Sequence, residues 1–185
     1  MKKLIKLISL FLFIIPVYII YSTKSIKYYY IDLGSNVGNY TYYNYIEDYL
    51  MKKDKLKYSR YYGNNDYLID DLYKEIKLNN KLKRDLREAN AVTLFVGNND
   101  ILYKRSQGKN DKEIVRDINK DFSTLLKEIR KYYKKVIYLI DINKYYKCIG
   151  IQDDKITYIN TNSIKSSSYY NEYLIAKRIL KTLEK

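Results

Sequence analysis

The run Ala91-Val92-Thr93-Leu94-Phe95-Val96 closes on the tetrad Gly97-Asn98-Asn99-Asp100, and no other stretch constrains the fold as strongly. An unbroken apolar and β-branched run ended by glycine describes a strand buried on both faces. Such strands lie inside parallel sheets covered by helices. In those sheets, ligands bind in the loops just past the carboxyl ends of the strands. A second constraint pulls against any catalytic reading of that loop: the chain contains no histidine. Chemistry placed there must do without an imidazole base.

Strand and helix signals alternate along the rest of the chain. Tyr28 to Leu33 reads as a first strand, ended by Gly34-Ser35-Asn36-Val37-Gly38. Tyr42, Tyr45, Ile46, Tyr49 and Leu50 recur at helical spacing, and Leu56 to Tyr62 is a second strand before the turn Gly63-Asn64-Asn65-Asp66. Leu68 to Leu78 predicts a helix with Leu68, Leu72 and Ile76 as its stripe, and Leu82 to Arg87 predicts a short one after the break at Asn79-Asn80. Beyond Gly97, Lys104 to Asn110 reads as a polar loop with Asp111 as the following helix cap. Ile114, Ile118, Phe122, Leu125 and Ile129 mark the clearest helix. Val136 to Ile142 and Lys155 to Asn160 are further strands. Tyr169 to Leu183 closes as a helix with Tyr173, Ile175, Ile179, Leu180 and Leu183 on its apolar stripe. This alternation predicts an α/β fold: a mostly parallel sheet with helices on both faces, joined by right-handed crossovers.

At 185 residues the chain has the length of one domain with a sizeable core. Residues 1–27 form a separate segment, with 28–185 as the domain. Met1-Lys2-Lys3 precedes Leu4 to Tyr21, which is almost wholly apolar, and no small-x-small cleavage site follows. The segment reads as a hydrophobic anchor, with cleavage after Ser22 or Ser25 as the alternative. Either way the domain is expected outside the cytoplasm, membrane-anchored or secreted. Tyrosine occurs 25 times alongside abundant Lys, Asn and Ile, the residues of A/T-rich codons, so its abundance by itself does not argue for a ligand platform.

The formal charge is +14, from 35 basic and 21 acidic residues. That excess favours anionic envelope surfaces as partners, while no motif for nucleic acid accompanies it. Cys148 is the single cysteine, so neither an internal disulfide nor a Cys/His metal cluster can be built, and no cofactor or metal is expected.

With the motifs in place, the chain resembles the SGNH/GDSL hydrolases, serine esterases on a flavodoxin-like three-layer α/β/α sandwich. Leu33-Gly34-Ser35-Asn36-Val37-Gly38 stands where that family has L-G-D-S-x-x-x-G, and Gly97-Asn98-Asn99-Asp100 matches its G-x-N-D block. Asp70-Asp71-Leu72 resembles the helix behind its second block, and Ile175-Ala176 the I-A that follows its D-x-x-H. The resemblance implies a serine nucleophile, a histidine base oriented by an aspartate, and an oxyanion hole. It assigns Asn99 and Gly97 to the oxyanion block, and either Gly63 or Asp66 to the second-block glycine position. The nucleophile position falls on Asn36 without a gap, or on Ser35 if one residue is deleted. Counting back from Ile175-Ala176 places Ser163 and Ser166 at the aspartate and histidine positions, so the triad lacks its base. A substitute base would have to come from a residue such as Asp100, Tyr169 or Lys165, and a lysine would need burial to lower its pKa.

Each motif also has a plain structural use. Asn99-Asp100 can be a turn and helix cap, Ser35 a small turn residue, and Asp32 and Asp141 turn formers at strand ends. Three functions follow. The first is a pseudoenzyme of the cell envelope that binds an acylated glycan, lipid or wall polymer in its cleft. The second is a serine esterase using Ser35 with an unusual base, and the third a basic scaffold on anionic surfaces.

Overall fold

The computed structural model describes residues 27–34, 40–141, 153–161 and 169–184. Its strands are β1 (Tyr28–Gly34), β2 (Leu56–Tyr62), β3 (Ala91–Phe95), β4 (Ile137–Asp141) and β5 (Ile156–Asn160). Its helices are α1 (Tyr42–Lys52), α2 (Ile69–Leu78), α3 (Asn80–Glu88), α4 (Asn98–Ser106), α5 (Asp111–Tyr132) and α6 (Tyr169–Leu183). The strands form one sheet in the order β2-β1-β3-β4-β5, and every pairing is parallel. This is the flavodoxin-like doubly wound order. The expectation of a mostly parallel sheet is met by a wholly parallel one.

The period-two alternation along the strands sorts side chains onto two cores. Ile31, Leu33, Val92, Leu94, Ile137 and Leu139 face α2, α3 and α5, packing on Leu72, Leu86, Phe122 and Ile129. Tyr30, Ala91, Phe95, Tyr138, Ile140 and Ile159 face α1 and α6, meeting Ile46, Leu50, Ile175 and Ile179. The three-layer sandwich therefore follows from strands that are apolar on both faces.

Several local expectations are corrected. The helix α4 starts at Asn98 and runs through Lys104, Arg105 and Ser106, so the polar loop expected over Lys104 to Asn110 is confined to residues 107–110. Only Ile101 of its apolar residues is buried, while Leu102 and Tyr103 face solvent, so no stripe announced it. Asn110, not Asp111, caps α5: its Oδ1 accepts from the Lys112 and Glu113 amides, and the Glu113 carboxylate accepts from the Asn110 amide. The buried stripe of α2 begins at Ile69, with Leu68 as the cap residue. In α6, Ile175, Ala176, Ile179 and Leu180 are buried, whereas Tyr173 is 43% exposed and lies outside the stripe.

Residues 1–26, the anchor expectation among them, lie outside the described residues, as do Ile142 and Cys148. Among the described residues no helix is long and apolar enough to cross a membrane.

Candidate functional site

The carboxyl ends of β1, β2 and β3 converge on a corner built around glycines. Gly34 has φ +127°, and a Cβ there would lie 1.9 Å from the Phe95 carbonyl oxygen. A Cβ on Gly63 would lie 1.7 Å from the Gly34 carbonyl oxygen. Only glycine permits these approaches. The first and second sequence blocks therefore touch, and Gly63 rather than the exposed Asp66 sits at the β1 turn. The Tyr61 hydroxyl donates to the Gly34 carbonyl at 2.9 Å and braces the same turn.

The third block joins this corner from β3. Gly97 adopts the left-handed conformation (φ +101°) and reverses the chain directly into α4. Asn99, in the first turn of α4, donates its Nδ2 to the carbonyl oxygens of Asn65 (2.8 Å) and Tyr67 (3.2 Å). An amide nitrogen has two hydrogens, and both are used here to hold the β2–α2 loop. Asp100 is buried and receives the Ile69 amide on Oδ1 and Oδ2 at 3.3 and 3.1 Å, capping α2 from a neighbouring element. Burial pushes its carboxyl up to about 6, against the pull of the Ile69 amide and of Lys104. Of the substitute bases, Asp100 is thus committed to a helix terminus, and the side chains of Lys165 and Tyr169 lie outside the described residues.

On the other face of the same pole, a second polar cluster is fully buried. Asp32 is 0% exposed and sits within β1, so it is not a turn former. Its Oδ1 accepts from Thr93 Oγ1 at 2.5 Å and from the Tyr42 hydroxyl at 2.7 Å. Thr93 Oγ1 in turn lies 2.9 Å from the Tyr30 hydroxyl. Burial, then the nearby Asp32, holds the Tyr30 phenol well above its usual range. The Tyr42 amide donates to Glu172 Oε2 at 2.8 Å, so α6 caps the start of α1. Burial raises the Glu172 carboxyl, and the Tyr42 amide opposes that rise. Sequence reasoning placed Thr93 in a strand and Tyr42 on a helix stripe, and gave neither of them, nor Glu172, a part in a site. A threonine interrupting the apolar run 91–96 was the available signal.

Ser35, Asn36, Ser163 and Ser166 lie outside the described residues, and so does any account of which faces the corner. Gly63 rests on the Gly34 turn, and Asn99, two residues past Gly97, reaches the β2–α2 loop through Asn65 and Tyr67. The corner offers amide and carbonyl groups but no imidazole. Among the described residues no group of three or more His, Cys, Asp or Glu side chains could hold a metal ion.

This is an SGNH/GDSL hydrolase-like fold, and solved structures share it. The lipase Lip_vut3 from a goat rumen metagenome superposes with a TM-score of 0.65 at 10% identity, over 85% of this chain and 97% of that one. The psychrotrophic esterase EstA from Pseudoalteromonas sp. gives 0.57 at 14% identity, over 84% and 96%. A protein described as a GDSL-like lipase from Parabacteroides merdae gives 0.55 at 10% identity, over 86% and 98%. No family model and no curated protein matches the sequence.

Proposed function

We propose that the protein is a non-catalytic, envelope-located member of this fold, whose cleft binds an acylated glycan, lipid or wall polymer without hydrolysing it. The observation that carries this reading is the commitment of Asn99. A working oxyanion hole needs a donor aimed at the charge that develops in the transition state. Here both hydrogens of the Asn99 amide go to the Asn65 and Tyr67 carbonyls. The absence of any histidine supports the same conclusion, because a serine hydroxyl is a weak nucleophile without an adjacent base. In triad hydrolases, losing one member leaves only roughly 10³–10⁴-fold catalysis over water. The apolar stretch 4–21 and the +14 charge support anchoring at an anionic envelope.

Hydrolysis of p-nitrophenyl acetate by the full chain, beside Ser35→Ala and Asn36→Ala, tests the reading. The expected result is the same near-background rate in all three. Turnover abolished by Ser35→Ala would replace it with an esterase using a non-histidine base. Affinity electrophoresis through an O-acetylated polysaccharide tests the binding half: retardation beyond that in the deacetylated polymer is expected, and its absence removes acylated glycan as the ligand.

A further inference from the structure

A groove of about 540 Å³ runs along the outer seam of α1 and α6, away from the glycine corner. Its volume falls in the range of roughly 300–1,000 Å³ typical of small-molecule sites. Two stripes at helical spacing form its walls: Tyr45, Tyr49 and Lys52 on α1, and Tyr173, Lys177 and Lys181 on α6. Ala176 and Leu180 supply an apolar floor.

The groove is graded along its length. α1 and α6 run the same way, since Tyr45 meets Tyr173 edge-on at 5.7 Å near their starts and Tyr49 meets Glu184 near their ends. At the starting end, Tyr40 packs edge-on against Tyr45 at 4.6 Å, making an aromatic pocket. Lys177 stands midway along α6, and Lys52 and Lys181 stand toward the far end, none with an acidic partner among the described residues. The two acids that line the groove are already engaged. Asp48 accepts from the Tyr40 hydroxyl, and Glu184 accepts from Lys55 at 3.0 Å and from Tyr49. The seam therefore presents an aromatic starting end and, over a continuous apolar floor, a far half edged by lysines that have no acidic partner among the described residues. Tyrosine is common throughout this chain, so its abundance does not make the site; this graded order does.

We propose that this groove binds one anionic amphiphile, its chain lying among the rings of Tyr40, Tyr45 and Tyr173 and over Ala176, and its anionic head reaching Lys52 and Lys181 with Lys177 alongside. The twelve residues from Tyr173 to Glu184 advance roughly 17 Å at 1.5 Å per residue, which sets the length that chain and head together can occupy. The matching of one anionic end to three uncompensated ammonium groups selects a charged amphiphile over a neutral one. The site is independent of whether the glycine corner binds or hydrolyses anything.

Photolabelling of the full chain with a diazirine-bearing analogue of laurate, followed by peptide mapping, tests this site directly. Label is expected on the α1 and α6 peptides, displaced by excess laurate but at least tenfold less by dodecanol or acetate. The double variant Lys177→Glu/Lys181→Glu and the single variant Tyr173→Ala are each expected to lower that labelling about tenfold at an unchanged thermal midpoint. All three positions are exposed, so the fold does not depend on them. Label confined to residues 1–26, label scattered over the surface, or seam labelling unaffected by charge reversal would overturn the proposal. Equal displacement by acetate would reduce the site to a simple anion contact and overturn it as well.

Discussion

Gly63 lies against Gly34 so closely that a methyl group at residue 63 would sit 1.7 Å from the Gly34 carbonyl oxygen. Both partners are backbone, so no rotamer change can relieve the contact. Gly63→Ala is expected to cost about 3 kcal/mol or more, at the upper end of overpacking effects. Gly108 supplies the control: it also has positive φ (+78°), but a Cβ there meets nothing within 4 Å. Gly108→Ala should cost only the left-handed strain, about 1 kcal/mol. Urea unfolding of the two variants checks the contrast, and similar midpoints would mean the strand ends can separate.

Asn99 holds the β2–α2 loop through two carbonyls. Asn99→Ala removes both donors and should destabilise by about 1–2 kcal/mol, without changing any background esterase rate. Asn99→Asp should be worse, since it sets a carboxylate against the same carbonyl oxygens. A thermal shift with flat turnover is the expected signature. Loss of ester turnover at unchanged stability would return Asn99 to an oxyanion role.

Asp100 makes stability depend on pH in a definite direction. Its carboxyl is raised by burial to about 6, above the unfolded value of about 3.9. The folded state therefore holds the proton more tightly between these values, and Asp100's contribution to stability falls as pH rises from about 4 to about 6. Asp100→Asn keeps an acceptor for the Ile69 amide and removes the titration. The difference in unfolding free energy between wild type and variant should shift in favour of the variant as pH rises through that window. A difference that stays flat from pH 4 to 7 would contradict the raised carboxyl.

Thr93 bridges Tyr30 and Asp32 inside the sheet. Thr93→Val keeps the shape but leaves a buried hydroxyl and a buried carboxylate each short of a partner, at about 1–3 kcal/mol. Thr93→Ser should recover most of that loss. Equal stability in both variants would show that the hydroxyl contributes nothing beyond its volume.

Much of the fold was legible in local patterns. The run 91–96, the stripe Ile114 to Ile129 and the span Tyr169 to Leu183 each carry a period that matches one element. Where the pattern was weak, as in Asn98 to Ser106 with one buried apolar residue, the helix was missed. The G-x-N-D block was visible as a turn, but nothing in it said whether Asn99 would face the cleft or the β2–α2 loop.

The sequence by itself determined the order of the five strands and of the helices with a clear period, the double-faced burial of the sheet and the lack of an imidazole base, because these depend on residue type and near-neighbour spacing. Only the tertiary structure decided that Gly63 rests on Gly34, that Asp32 collects Thr93 and Tyr42, and that Tyr173 lines a groove instead of a core. Those contacts join residues far apart in the chain. Which of them form is set by how helices pack across a twisted parallel sheet, a geometry that no local period encodes.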